Sequence, residues 1–222
     1  MTKLVKLTTA SRKWKLAQVL EYKWWQNYLQ KKDVGKYLEW KRNYWNDLLS
    51  SLSGYLEFPV GKNILDAGCG PAGIFMVLNG NDVDALDPLL DKYKTLEHFI
   101  PEKYPWTNFI NSSIEALKQK EKYDLIFCMN AINHVNDIGL CYDNLIGGLK
   151  SGGYLIISTD AHRHEFLKKI FQLIPGDMLH PVQLNIQEYN AFLSKRNMEI
   201  VHDILYKREM IFDYHITIAR KR

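Results

Sequence analysis

Two aspartates and three closely spaced glycines, all between positions 66 and 87, could bind a polar ligand. Gly68, Gly70 and Gly73 have the spacing G-x-G-x-x-G after a short apolar run. Glycines permit a tight turn and close approach of a ligand to the backbone, and N–H groups at the start of a following helix face that ligand. The spacing suits dinucleotide and nucleoside ligands, and it also suits a turn that only packs a strand against a helix.

The two aspartates narrow this choice. Asp66 stands two residues before Gly68 and places a carboxylate in the cradle, which repels a pyrophosphate and attracts a ligand carrying an ammonium and a sulfonium. Asp87 follows the next predicted strand, where a carboxylate can accept both hydroxyls of a ribose. A turn aspartate before Pro88 is the alternative interpretation of Asp87. Together the residues favour a cationic nucleoside cofactor.

Alternating strands and helices must position these groups. After Gly61, apolar runs predict strands over 63–67, 82–87, 108–112, 123–129, 154–158, 199–206 and 210–219. Helices are expected from the glycine turn to Leu78, over 89–100, from Ile114, over 137–149 and over 165–173. The alternation predicts an α/β fold with a parallel sheet covered on both faces, and the last two strands must pair as an antiparallel hairpin.

Residues 1–60 differ from the rest in composition. They contain 11 Lys/Arg and 5 Asp/Glu, against 18 and 20 in residues 61–222, and five of the six tryptophans lie before position 46. Helical spacing over 13–52, with a break at Gly35, fits a lid over a substrate pocket, an arm for RNA, or a helix on an anionic membrane. Aromatic residues at helical spacing usually pack, which favours the lid, with wall residues Tyr37, Trp40 and Tyr44.

The composition of the whole chain is that of a folded globular protein. It has 222 residues, 46% of them hydrophobic, and a net charge of +4, which excludes disordered and collagen-like classes. The longest uncharged stretches, 67–81 and 125–136, are too short to span a bilayer, and the N-terminus has no signal-peptide pattern. Three cysteines form no C-x-x-C pair. A cytoplasmic location with reduced cysteines is therefore expected.

Residues 61–222 resemble the class I S-adenosylmethionine (SAM) dependent methyltransferases. The segments that carry the resemblance, in chain order, are ILDAGCGPAG at 64–73, ALDP at 85–88, NSSIEAL at 111–117, YDLIFCMN at 123–130 and LKSGG at 149–153. The resemblance implies a Rossmann-like, seven-stranded, mostly parallel sheet with an antiparallel last strand and helices on both faces. It also makes residues 1–60 an N-terminal helical cap on the methyltransferase core.

The same resemblance implies which residues hold the cofactor. The implied set is Asp66, Gly68 and Gly70 for the methionine part, Asp87 for the ribose, Ser113 and Ile114 for the adenine and Asn130 for the open side, with Ala67, Gly73 and Pro88 as further cofactor-binding residues. Ser113 departs from the family pattern, because an acid usually meets the adenine amino group at that position. The serine can still accept a hydrogen bond, but it carries no charge.

Two histidines are candidates for catalysis. His134 lies in the segment 130–135, which resembles the L-E-H-V segment of small-molecule methyltransferases, and Asn133 beside it is a candidate substrate contact. His180 lies in a segment similar to the family's H-P-H-x-F-T-x-x-E-L stretch, and its imidazole would titrate near working pH. A hydrogen-bonded wall residue is the alternative for His134, and a surface turn residue is the alternative for His180.

The resemblance implies methyl transfer from SAM to a small-molecule acceptor, with S-adenosylhomocysteine as product. The chain lacks the [D/N/S]-P-P-[Y/F] signature of enzymes that methylate DNA bases, so DNA is not an expected substrate. An acceptor in RNA or protein is the alternative, followed by a nicotinamide-dependent oxidoreductase, which Asp66 and the terminal hairpin disfavour, and by a binding module without catalysis. No metal site is expected.

Overall fold

The computed structural model describes residues 12–58, 60–162, 184–208 and 212–222. Seven strands form one sheet: β1 (Asn63–Ala67), β2 (Asp82–Leu86), β3 (Thr107–Ile110), β4 (Tyr123–Cys128), β5 (Leu149–His162), β6 (Met198–Arg208) and β7 (Phe212–Lys221). The helices are α1 (Arg12–Leu29), α2 (Val34–Leu52), α3 (Leu90–Tyr93), α4 (Ile138–Gly148) and α5 (Ile186–Ser194).

The strand order in the sheet is β3-β2-β1-β4-β5-β7-β6. Strands β1 to β5 pair in parallel, whereas β7 lies antiparallel between β5 and β6. The predicted α/β fold, with its mostly parallel seven-stranded sheet and antiparallel last strand, is confirmed. The order of the strands reverses between β1 and β4, and such a switch point opens a crevice at the carboxyl ends of the strands.

The two faces of the sheet are covered by different helices. On one face, Leu48 and Leu52 of α2 share a hydrophobic cluster with Phe75 and Phe127, and all four side chains are fully buried. On the other face, α4 and α5 pack in a second cluster that includes residues of β1 and β4, such as Leu65. Helix α2 is therefore part of the main hydrophobic core.

The predicted helix after the glycine turn is wrong. Residues Gly70–Ala72 and Ile74–Val77 form two short 3-10 turns instead. Gly73 between them has extended backbone, with ψ of −177°, which interrupts any helix. Because α2 covers this face of the sheet, a full helix is not needed there.

Two other helix predictions also differ from the structure. The helix expected over 89–100 is only α3, because the chain turns after it and the Thr95 hydroxyl bonds to the Lys92 carbonyl at 2.8 Å, in competition with a helical backbone. The break expected at Gly35 lies earlier, where Asp33 caps α2 by accepting a hydrogen bond from the Lys36 N–H at 2.9 Å. The helix expected over 165–173 lies outside the described residues.

Helices α1 and α2 leave several large apolar side chains at the surface. Trp24 is 48% exposed and stacks on Tyr28, with ring centroids 5.0 Å apart, and Trp40 is 53% exposed. Throughout the described ranges, no helix has both the length and the apolar character that crossing a membrane requires.

Candidate cofactor and active site

The glycine turn connects the end of β1 to the crevice at the switch point. Gly68 and Gly70 have φ of 75° and 58°, a left-handed backbone that favours glycine. The Gly68 N–H donates to the Leu86 carbonyl at 2.7 Å, which holds the turn against the end of β2. A Cβ on Gly68 would overlap with the Cβ of Ala131, in the segment after β4. Position 68 therefore requires glycine for both conformation and space.

Asp66 lies beneath this turn and is 1% exposed. Its Oδ2 accepts a hydrogen bond from the Phe75 N–H at 3.1 Å, and a Cβ on Gly73 would collide with the same oxygen. Burial raises the pKa of Asp66 to about 7, although the Phe75 hydrogen bond opposes this shift. The carboxyl group therefore titrates near neutral pH, and a bound cation would favour its charged form.

Asp87 follows β2 and bridges two backbone segments. Its Oδ2 accepts a hydrogen bond from the Gly70 N–H at 3.0 Å, and its Oδ1 accepts one from the Leu89 N–H at 2.8 Å. Burial raises the pKa of Asp87 to about 6, and the two N–H donors oppose that rise. Since each carboxylate oxygen can accept two hydrogen bonds, both oxygens keep capacity for a ligand.

A cavity of about 170 Å³ lies between the carboxyl ends of β1, β2 and β4 and helices α1 and α2. It is lined by residues from four of the stretches predicted for the cofactor or catalysis: Gly68, Gly70, Asp87, Pro88, Ser113, Ile114, Asn130 and His134. The fold thus gathers positions that are up to 66 residues apart in the sequence around one space.

Four other predicted site residues are buried behind the cavity wall: Asp66, Ala67, Gly73 and Asn133. Asp66 and Gly73 pack against each other below the glycine turn. The Asn133 Oδ1 accepts a hydrogen bond from the hydroxyl of Tyr189 on α5, at 3.1 Å. His180 lies outside the described residues.

The structure does not bring Tyr37, Trp40 or Tyr44 to the wall of this cavity. Tyr37 packs edge-on against His98, with ring centroids 5.3 Å apart. Trp40 faces outwards, and Tyr44 lies beside Tyr214 of β7. These three residues define a face of α2 next to the one that lines the cavity.

Six further cavity residues come from the two N-terminal helices, and the sequence interpretation missed them as site residues: Trp14, Gln18, Glu21, Trp25, Lys41 and Trp45. Their spacing of three or four residues places each set on one face of its helix. This spacing was visible in the sequence. The choice between neighbouring faces, which differ by one residue on α2, depends on how the helix packs.

Two of these residues bring charge into the cavity. The Lys41 Nζ lies 4.3 Å from the centroid of the Trp45 ring, and burial lowers the Lys41 pKa to about 8, against the attraction of Asp66. Glu21 accepts a hydrogen bond from the Gln18 Nε2 at 3.2 Å, and burial, followed by the charge of Asp87, raises its pKa to about 8. A cation thus lies near Asp66 and a second acid near Asp87.

The segment after β4 forms the remaining wall. Asn130 has a left-handed backbone with φ of 54°, and its N–H donates to the Ser158 Oγ at 2.8 Å. The Trp14 indole N–H donates to the backbone carbonyl of His134 at 3.0 Å, which connects α1 to this segment. A left-handed conformation in a non-glycine residue at a cavity wall is typical of a functional turn.

The polar groups around the cavity fit SAM. The buried carboxyl of Asp66 beneath the turn suits a cofactor with positive sulfonium and ammonium groups, and the spare capacity of Asp87 suits the two hydroxyls of a ribose. Pro88 and Ile114 provide apolar contacts for a base. This combination of sheet and site is the one that class I SAM-dependent methyltransferases use.

Comparison with known proteins leads to the same class. The chain belongs to the methyltransferase domain family, whose model matches residues 37–202. It is similar to proteins named ubiquinone biosynthesis O-methyltransferase. The one from Rickettsia felis is 28% identical over 184 residues, covering 74% of this chain and 75% of the relative. The one from Rickettsia canadensis is 30% identical over 187 residues, covering 74% of this chain and 78% of the relative.

A solved structure shares the fold at low identity. It is the 1,6-didemethyltoxoflavin-N1-methyltransferase of Burkholderia thailandensis, with bound 1,6-didemethyltoxoflavin and S-adenosylhomocysteine. The TM-score is 0.63, the identity is 16%, and the match covers 96% of this chain and 92% of the other. The predictions of a methyltransferase, of its enzyme class and of SAM as cofactor are confirmed, and the relatives agree with a small-molecule acceptor.

The raised pKa values of Asp66 and Asp87 predict a pH dependence of cofactor binding. The ammonium group that SAM and S-adenosylhomocysteine share needs the charged form of Asp66, so apparent affinity falls with the ionised fraction. We expect the affinity for S-adenosylhomocysteine to be constant from pH 7.5 upwards within the neutral range and to decrease about tenfold per pH unit below 7. Below about pH 6 the protonation of Asp87 makes the decrease steeper.

Isothermal calorimetry between pH 5.5 and 7.5 measures this profile, in a window below the pKa values of Glu21 and Lys41. The matched variant is Asp66→Asn, which we expect to bind more weakly at pH 7.5 and to lose the slope between pH 7 and 6. A wild-type affinity that stays constant down to pH 5.5 would contradict the prediction.

Proposed function

We propose that the protein transfers the methyl group of SAM to the oxygen of a small aromatic alcohol. The proposal rests on the part of the cavity wall that α1 and α2 form, which we call the roof. Its side chains are largely aromatic, and it also contains a buried cation. Trp25 and Trp45 can pack against a ring, and Lys41 brings a positive charge into the same space. The relatives from Rickettsia are named O-methyltransferases, and these names support oxygen as the methylated atom.

An aromatic hydroxyl must lose its proton to become an effective nucleophile, since a phenol has a pKa near 10 in water. A nearby ammonium favours the phenolate, which is the role we assign to Lys41. His134 lines the cavity and is our candidate for the proton acceptor. His180 remains a second candidate for that role.

SAM supplies an activated methyl group that is transferred by in-line displacement. The protein's contribution is alignment of the acceptor oxygen and exclusion of water. We assign the roof formed by α1 and α2 to both tasks. Two hydrogen bonds hold α1 on the core. The Trp14 indole N–H donates to the His134 carbonyl, and the hydroxyls of Tyr22 and Thr95 are bonded at 2.6 Å.

Because α1 and α2 form this roof, we propose that residues 1–60 are a lid and that residues 61–222 are the cofactor-binding core. The described part of the lid contributes six residues to the cavity. We also propose a cytoplasmic location, supported by three cysteines that are all buried and unpaired: Cys69, Cys128 and Cys141.

The test is methyl transfer from labelled SAM to catechols, hydroquinones and simple phenols, with total RNA and a denatured protein extract as competing acceptors. We expect label on a phenolic oxygen, identified by mass spectrometry of the product. Label found only on RNA or protein would refute the proposal.

The role of Lys41 can be tested in the same assay. Lys41→Gln is expected to lower kcat/KM by about 10- to 100-fold and to move the ascending, acidic limb of the pH–rate profile to higher pH, because the phenol loses the cation that lowers its pKa. Lys36→Gln is the matched control, since Lys36 is exposed on the same helix. A pH–rate profile unchanged in Lys41→Gln would remove this role.

A further inference from the structure

Helix α1 crosses the mouth of the cavity with one face inwards. Trp14, Gln18, Glu21 and Trp25, at spacings of four, three and four residues, all line the cavity. At one end of this face a ring carbon of Trp25 lies 3.7 Å from the place of a Cβ on Gly70. At the other end Trp14 bonds to the segment after β4. The two polar residues lie between these anchors.

One hydrogen-bonding atom of Gln18 has no partner in the described part of the protein. The residue is 8% exposed, and its Nε2 donates to Glu21, but its Oε1 is buried without a hydrogen-bond partner. Buried polar atoms in native structures are almost always paired, because an unpaired acceptor loses its bond to water and gains none. An unpaired acceptor in a residue of a cavity wall indicates that a ligand supplies the donor.

Glu21 lies one helical turn further along, close enough to Asp87 for the two charges to repel. Asp87 follows the strand end where a ribose binds in this type of sheet. Position 113, at the expected adenine site, holds an uncharged serine. The nucleoside half of SAM carries two ribose hydroxyls, for which Asp87 keeps one acceptor site on each oxygen, and an adenine amino group with two N–H donors. The single hydroxyl of Ser113 can accept from one of these donors, so an acceptor for the other must lie elsewhere.

We propose that α1 forms part of the nucleoside subsite, with Glu21 binding the ribose beside Asp87 and Gln18 accepting a hydrogen bond from the adenine amino group. The order of the residues along the helix matches the order of the groups in the cofactor, from the glycine turn to the base. This inference rests on SAM being the cofactor. According to this inference, the N-terminal helical cap contributes to the selection of adenine together with the core.

Calorimetry with S-adenosylhomocysteine on the full chain tests the proposal. Gln18→Leu and Glu21→Leu keep the helix and similar volumes, and each is expected to weaken binding about tenfold. The matched controls are Gln26→Leu on the exposed side of α1 and Glu39→Leu on the exposed side of α2, and both should bind as the wild type does. Circular dichroism of each variant verifies that it is folded.

A second ligand keeps the test decisive if a variant does not fold. S-inosylhomocysteine has an oxygen in place of the adenine amino group, so the wild type should bind it about tenfold more weakly, and Gln18→Leu should not discriminate between the two ligands. Wild-type affinity in both variants, or equal wild-type affinity for the two ligands, would overturn the inference while SAM remains the cofactor. No binding of S-adenosylhomocysteine by the wild type would overturn both.

Discussion

Gly68→Ala is expected to abolish measurable binding of S-adenosylhomocysteine and to destabilise the protein. The new methyl group would overlap with Ala131, and alanine would have to adopt φ of 75°. The left-handed conformation costs about 1–2 kcal/mol and the overlap about 1–3 kcal/mol, so we expect a loss of about 2–5 kcal/mol in the free energy of unfolding. Displacement of the turn away from the segment after β4 should reduce affinity by more than about 100-fold.

Denaturant unfolding and calorimetry measure the two effects. Gly70→Ala provides an intermediate case, because its φ of 58° is strained for alanine but the nearest atom, in Trp25, leaves room. Gly54→Ala is the neutral control, since nothing lies within 4 Å of its Cβ position. If Gly68→Ala behaved like Gly54→Ala, the turn would not have the tight geometry described above.

Asp87→Ala should have the second largest effect, a loss of about 100-fold or more in affinity for S-adenosylhomocysteine. Each hydrogen bond from a ribose hydroxyl to the carboxylate contributes about 1.5–3 kcal/mol, and both are lost. The free energy of unfolding should change much less. The raised pKa means that the charged form costs the folded protein stability as pH rises through about 6, so removing the charge offsets the loss of the bonds from Gly70 and Leu89.

Asp82→Ala is the matched control for this experiment, because Asp82 is exposed at the other end of β2. It should leave both affinity and stability close to those of the wild type. An Asp87→Ala variant that binds S-adenosylhomocysteine as tightly as Asp82→Ala would exclude Asp87 from the ribose site.

The core strands were predictable because each is a short apolar run between turn residues. The prediction for β1 agrees with the structure residue for residue, and the hairpin of β6 and β7 followed from the short link between two strands. The absence of a helix after the glycine turn was not predictable from the sequence of that segment. Ile74 to Leu78 are apolar, but α2, from a distant part of the chain, covers them.

The residues around the cavity also divide into those that the sequence could predict and those that it could not. Gly68 and Asp87 could be predicted to lie near a ligand because each belongs to a short motif that is continuous in the sequence. Lys41 and Trp45 could not be chosen over Trp40 and Tyr44 by spacing alone, since the two sets differ by about 100° of rotation around α2. Only the packing of α2 on the sheet determines which face meets the cavity.

The position of α2 has a consequence for how such enzymes can be recombined. Leu48 and Leu52 are as deeply buried as the centre of the sheet and share its hydrophobic cluster. A chimera that exchanged residues 1–60 as one module would replace the packing that α2 provides on that face, and its new helix would have to match the existing side chains in shape. An exchange that joins the chains in the turn between α1 and α2 would retain that packing. The preferred junction for such an exchange therefore lies in that turn, near Asp33.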